Sequence, residues 1–159
     1  MFTAIPKKET KEGNYQLLVE YLPHILSKND PPISNLANMS ALLNYFIEEI
    51  NWVGFYLDDG QELYLGPFQG NVACTKIKIG QGVCGTSYQS KDTLIVKNVN
   101  EFPGHIACDS ASLSEIVIPF YTDNLSGVLD IDSPFINHFD EIDKRYLQKA
   151  IDILKNILN

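Results

Sequence analysis

Three cysteines are the side chains of this sequence most able to do chemistry. Cys74, Cys84 and Cys108 each lie in or beside an irregular stretch rather than in a periodic apolar run. A thiol becomes a nucleophile where its surroundings lower its pKa, which polar loops do more readily than apolar cores. The set favours one attacking thiol with one or two resolving partners. For each cysteine alone, filling a gap in the core stays the plainer alternative.

Cys108 is the best candidate for the nucleophile because residues 104–109, Gly-His-Ile-Ala-Cys-Asp, form the densest polar cluster. His105 would supply positive charge to the thiolate, or would merely brace the loop. Cys84 follows Gly82 at the predicted start of a short helix, where the helix dipole would lower its pKa. His105 and the three cysteines also offer four zinc ligands, but no Cys-x-x-Cys or His-x-x-x-His unit supports a zinc site. We therefore expect no metal.

Carboxylates form the second candidate group. Asp130 and Asp132 are two residues apart in a predicted strand, so they share one face. Glu115 begins the neighbouring strand, and the three acids would line a pocket together. Burial and mutual repulsion would raise at least one pKa, which leaves an acid able to donate a proton near neutral pH. Alternatively, the two aspartates only mark the solvent-exposed end of their strand.

Trp52 and Tyr56 share a face of another predicted strand, since they are four residues apart. Packing in the core explains such a pair. An aromatic wall for a small thioether substrate would have the same pattern, because sulfur packs well against rings.

Hydrophobic periodicity predicts the elements that must position these side chains. Helical spacing covers residues 14–27, 36–50 and 142–157, with Ser34 or Asn35 available to cap the second helix. Strands are predicted at 52–57, 62–65, 75–79, 93–96, 115–121 and 125–131. This order predicts an α+β fold: an antiparallel sheet with the terminal helices on one face. A pocket covered by loops 66–74 and 97–113 belongs on the other face.

The composition narrows the class of protein. The 159 residues are 45% hydrophobic and 20% charged, as in one ordinary globular domain. The net charge of −8 disfavours binding to nucleic acid or to an anionic membrane surface. The sequence has no apolar run of about 18 residues and no export signal. With an odd number of cysteines, it favours free thiols in a reducing compartment, so we expect a cytoplasmic protein.

Several segments, in matching order, resemble one family. They are Asn-Trp-Val-Gly-Phe-Tyr at 51–56, Gly-Pro-Phe-Gln-Gly at 66–70 running to Ala-Cys at 73–74, Gly-Gln-Gly-Val-Cys-Gly at 80–85, Gly-His-Ile-Ala-Cys-Asp at 104–109, Ser-Glu-Ile-Val at 114–117 and Gly-Val-Leu-Asp-Ile-Asp-Ser at 127–133. These segments resemble the free methionine-(R)-sulfoxide reductases, which are single-domain GAF proteins. The similarity runs from about residue 14 to the C-terminus.

The resemblance implies a single GAF domain over residues 1–159, with its core at about 14–157. It implies that Cys108 attacks the sulfoxide of free methionine (R)-sulfoxide and becomes a sulfenic acid, which Cys74 resolves to a disulfide. Cys84 matches the third cysteine of the family. The remaining matches are pocket carboxylates and aromatic lining, at Glu115, Asp130, Asp132, Trp52 and Tyr56. The resemblance further implies a homodimer without a bound cofactor, recycled by thioredoxin.

Two other classes of function fit the same fold. A GAF module that binds a small molecule without turnover would have no need of the three cysteines. A redox sensor would use them, but it would require a separate protein for its output.

Overall fold

One six-stranded antiparallel sheet forms the centre of the molecule. The computed structural model of the protein describes residues 3–106 and 108–159. The strands run in the order β3-β2-β1-β6-β5-β4. They are β1 (Trp52–Asp58), β2 (Glu62–Gly70), β3 (Lys76–Lys78), β4 (Leu94–Val96), β5 (Ser114–Tyr121) and β6 (Ser126–Ser133). The helices are α1 (Lys11–Ile25), α2 (Pro32–Phe46), α3 (Gly82–Ser90) and α4 (Glu141–Leu158), and a short 3-10 helix covers Val99–Glu101.

The two faces of the sheet have different neighbours, as strand alternation requires. Val53, Phe55 and Leu57 of β1 join the large core formed with α1, α2 and α4. Trp52 and Tyr56 point to the opposite face, where they pack in a smaller cluster with residues of α3. The predicted α+β arrangement of the helices is therefore confirmed, and the second face is the one that carries the site.

Side-chain hydrogen bonds cap the first turn of two helices. The Thr10 side chain accepts a hydrogen bond from Gly13 N at 3.1 Å and begins α1. Asp140 and Asp143 form a reciprocal capping box at the start of α4. The predicted cap of α2 by Ser34 or Asn35 is wrong: the helix already begins at Pro32, without a side-chain cap. Proline suits the first position of a helix because a backbone N–H at that position would have no partner inside the helix, so its absence costs no hydrogen bond.

The second strand is longer than its sequence pattern indicates. The prediction ended it at residue 65, but β2 continues to Gly70 and pairs with β1 as far as Trp52. Pro67 interrupts the pattern but is tolerated, because β3 pairs only with residues 62–64 and leaves this part of the edge free. Among residues 3–106 and 108–159, no helix is both long and apolar enough to cross a bilayer.

Candidate active site

A cavity lies between the second face of the sheet and the loops that cover it. Its lining includes nearly every side chain proposed from the sequence. These are Trp52, Tyr56, Cys84, His105, Cys108, Glu115, Asp130 and Asp132. Cys74 is not among the lining residues, but it is bonded to Cys108, which is.

Strand register explains why the carboxylates meet. Asp132 of β6 lies opposite Glu115 of β5 on one side and opposite Trp52 of β1 on the other. Asp130 lies two residues along the same face of β6, opposite Val117 and Gly54. Pairing across three adjacent strands thus brings groups from distant segments into one row on the floor of the cavity.

Burial changes the acidity of all three carboxyl groups. It raises the pKa of Asp130 from 3.8 to about 6. Burial, reinforced by the charges of Asp130 and Asp132, raises the pKa of Glu115 well above its usual value. Burial and the charge of Asp130 do the same to the pKa of Asp132. The predicted increase of at least one carboxyl pKa is confirmed, with burial as the largest cause for all three groups.

Cys74 and Cys108 form a disulfide, with their Cα atoms 5.3 Å apart and a sequence separation of 34. In this state two of the three cysteines are therefore not free thiols. The aromatic wall holds one side of the bridge: Trp52 Nε1 donates to Asn71 O at 3.1 Å, and Tyr56 Oη donates to Cys74 O at 2.9 Å. The segment bearing Cys74 is thus attached to the cavity floor.

A clamp centred on Asp109 holds the other side of the bridge, and sequence reasoning did not assign it a role. The Asp109 carboxylate accepts from Asn51 Nδ2 at 3.2 Å and from Asn71 Nδ2 at 3.4 Å. Asn51 Nδ2 also donates to Ser112 Oγ at 3.1 Å. Asp109 therefore joins both cysteine-bearing segments to the start of β1. Its position directly after Cys108 was the available signal.

The pKa of the Cys84 thiol is shifted in the direction opposite to the prediction. It is the third residue of α3, but burial, together with the charges of Asp130 and Glu115, raises the pKa of its thiol well above 9.0. The expected lowering of this pKa by the helix dipole is wrong, because desolvation and two nearby carboxylates outweigh the helix terminus. The thiol is neutral, and its Sγ lies 3.8 Å from Glu115 Oε1, to which it donates.

His105 does not have the environment of a positive charge. Burial lowers the pKa of its imidazole below 6.5. Within the described part of the chain, its buried Nδ1 has no hydrogen-bond partner. The interpretation of His105 as a cation that activates Cys108 is therefore unsupported, because a neutral ring brings no such charge.

The aromatic wall is larger than the sequence indicated. The rings of Trp52 and Tyr56 stack with centroids 5.8 Å apart, and Phe68 stacks on Trp52 at 5.3 Å. Phe68 was not identified as a candidate, because residues 66–70 were expected to be a loop. Gly54 makes room for the wall, since a Cβ at this position would lie 2.3 Å from the Cβ of Phe68.

The chain is similar to known proteins in both sequence and structure. No family model matches the chain. The chain is 46% identical over 127 residues to the free methionine-R-sulfoxide reductase of Escherichia coli. This alignment covers 79% of this chain and 77% of that protein. The X-ray structure of free methionine-R-sulfoxide reductase from Neisseria meningitidis in complex with its substrate is 39% identical, with a TM-score of 0.91 over 99% of this chain and 96% of that one.

A solved GAF domain is 36% identical, with a TM-score of 0.90 over 98% of this chain and 93% of that one. The predicted GAF fold is confirmed. The family assignment therefore rests on sequence identity over most of the chain and not on a shared fold alone. The chain belongs to the free methionine-R-sulfoxide reductases, a family of oxidoreductases.

Proposed function

We propose that this protein reduces free L-methionine (R)-sulfoxide to L-methionine, with Cys108 as the nucleophile and Cys74 as the resolving thiol. One observation carries the proposal: the Cys74–Cys108 disulfide lies at the wall of a cavity whose floor holds three carboxyl groups, of which Glu115 and Asp130 are buried and Asp132 is half-buried. A redox-active pair of sulfur atoms beside proton donors is what sulfoxide reduction requires.

The chemical step begins with the reduced enzyme. The Cys108 thiolate attacks the sulfoxide sulfur, and a carboxylic acid protonates the sulfoxide oxygen. Glu115 and Asp132 are the proposed donors, since burial raises the pKa of each and keeps a proton available. The oxygen passes to Cys108, which becomes a sulfenic acid, and the substrate leaves as the thioether methionine.

Substrate binding uses the remaining polar and aromatic groups. Asp130, whose pKa is about 6, is mostly ionised at pH 7 and pairs with the substrate ammonium group. Trp52 and Tyr56 contact the methylthioether end, where sulfur packs well against rings. Backbone amides of the loop at 102–113 hold the substrate carboxylate. Because both charged ends are recognised, the same residue within a peptide is excluded.

Recycling needs two further thiol steps. The Cys74 thiol attacks the sulfenic acid of Cys108, which releases water and forms the disulfide. A thioredoxin dithiol then reduces this bond, and thioredoxin becomes the disulfide. Cys84 stays a neutral hydrogen-bond donor to Glu115 throughout, a role supported by its burial and raised pKa. The cycle uses no bound cofactor.

We also propose a cytoplasmic homodimer. A reducing compartment suits an enzyme that depends on thioredoxin, and the dimer rests on the resemblance to the family. Sedimentation at several protein concentrations measures the assembly directly, and a monomer at every concentration contradicts it.

A thioredoxin-coupled assay tests the activity. We expect turnover of the free R epimer, little turnover of the S epimer, and none of a peptide-bound sulfoxide. A protein that binds free methionine sulfoxide while its thiols stay unchanged would instead be a binding module.

Two matched variants test the order of the cysteines. Cys108→Ser should abolish even the first turnover, because no nucleophile remains. Cys74→Ser should release one methionine per enzyme and then stall, because the sulfenic acid has no resolving thiol. Rapid-quench measurement of methionine separates the two outcomes. A complete first turnover in Cys108→Ser would transfer the nucleophilic role to another thiol.

A further inference from the structure

Three buried ligand atoms of suitable type for a metal ion lie together at the floor of the cavity. They belong to Cys84, Glu115 and Asp130, and all lie within 4.8 Å of one another. The three side chains come from α3, β5 and β6, so only the folded chain brings them together. This cluster is a different set from the zinc ligands considered in the sequence, which were His105 and the three cysteines.

The spacing of one pair of these ligand atoms is close to that of a tetrahedral site. Zinc takes thiolate sulfur at about 2.3 Å and carboxylate oxygen at about 2.1 Å, so two such ligands in a tetrahedral site lie about 3.6 Å apart. The observed distance between Cys84 Sγ and Glu115 Oε1 is 3.8 Å. An ion between these atoms therefore needs little movement of either side chain.

A second observation points to a ligand. Asp130 is 6% exposed, and its Oδ1 is buried without a hydrogen-bond partner among residues 3–106 and 108–159. The described residues that line the cavity include no lysine and no arginine. Buried carboxylate oxygen without a compensating cation is costly, and an incoming cation removes that cost.

We infer that Cys84, Glu115 and Asp130 form a binding site for a thiophilic divalent cation such as Zn²⁺, and that the cation and the substrate exclude each other. On binding, the Cys84 thiol releases its proton to solvent, and its sulfur bonds to the metal. A water molecule completes the coordination from the open side of the cavity. The soft sulfur ligand selects Zn²⁺ or Co²⁺ over Mg²⁺.

The consequence for activity rests on the proposed function. If Asp130 pairs with the substrate ammonium group, then a cation on the same carboxylate blocks substrate binding. Zn²⁺ should therefore inhibit the reductase competitively, and high concentrations of free methionine sulfoxide should protect it.

The disulfide form of the protein allows a direct test without an activity assay. Because Cys74 and Cys108 are bonded to each other, Cys84 is the one remaining thiol of the three cysteines. Titration of this oxidised protein with Co²⁺ should produce a thiolate-to-cobalt charge-transfer absorption with one ion per chain. Equimolar Zn²⁺ should remove the absorption, and excess Mg²⁺ should not.

Matched variants identify the ligands. Cys84→Ser should lose the absorption, and Asp130→Asn should weaken cobalt binding at least about tenfold. Asp132→Asn should retain the absorption, because Asp132 is not one of the three ligands. No absorption in the wild-type protein, or an absorption that survives Cys84→Ser, overturns the site. Failure of methionine sulfoxide to displace Co²⁺ overturns the shared-site claim, whereas an inactive enzyme that still binds Co²⁺ contradicts only the proposed function.

Discussion

Asp130 should make the stability of the protein depend on pH in a way that can be calculated. Burial raises its pKa from 3.8 to about 6 in the folded state. Below pH 3.8 the group is protonated in both states and contributes nothing to the difference. Between pH 3.8 and about 6 the carboxyl group is ionised in the unfolded chain but still protonated in the folded one, so the free energy of unfolding falls as pH rises. At about 1.4 kcal/mol for each pH unit, the total loss is about 3 kcal/mol.

Asp130→Asn removes this titration while keeping nearly the same shape. The variant should therefore become more stable relative to the wild type as pH rises, by at least about 2 kcal/mol between pH 4 and pH 7. Denaturant unfolding of both oxidised proteins across this range measures the difference. Loss of the Asp130 charge also removes one cause of the raised pKa of Glu115 and of Asp132, which increases the pH-dependent difference in the same direction.

Asp59→Asn is the control for this measurement. Hydrogen bonds from the backbone of Glu62 and Gln61 lower the pKa of the exposed Asp59 carboxyl group below 3.8. Its contribution is present above pH 3.8 and is lost only as pH falls through the lower folded value. The difference for Asp59→Asn should thus stay constant between pH 4 and pH 7. An equally constant difference for Asp130→Asn would refute the assigned cost of burial.

Three further substitutions probe the framework and the clamp. Gly127→Ala should lower the free energy of unfolding by about 1–3 kcal/mol in denaturant titrations, because its Cβ would lie 2.2 Å from Tyr56 O; an unchanged midpoint contradicts this. Asp143→Ala should cost about 1–3 kcal/mol in the same assay, because the buried Tyr15 hydroxyl loses its acceptor at 2.7 Å. Asp109→Ala should slow disulfide formation after the first turnover more than methionine release, as followed by thiol titration after rapid quench. Equal slowing of both steps would assign Asp109 a general structural role.

Local patterns in the sequence predicted much of the framework. Helical spacing and strand alternation depend on neighbours a few residues away, so the α+β class and the shared face of Asp130 and Asp132 followed from them. The same alternation separated Trp52 and Tyr56 from the helix-facing core. Local patterns did not predict features that depend on residues distant in sequence. For example, β2 extends through Pro67 because β1 pairs with it.

The chemical state of the site depended on the tertiary structure for the same reason. The Cys74–Cys108 bond joins residues 34 apart in sequence, and no local pattern selects this pair over the others. The pKa of Cys84 depends on burial and on carboxylates from two strands, which outweigh the helix start visible in the sequence. Residue types and periodicity alone thus determined which thiol, carboxyl and aromatic side chains could take part in the chemistry. They also determined which of these side chains share a face of the predicted strands. Only folding decided which groups meet and how acidic they are, because desolvation and charge act through space.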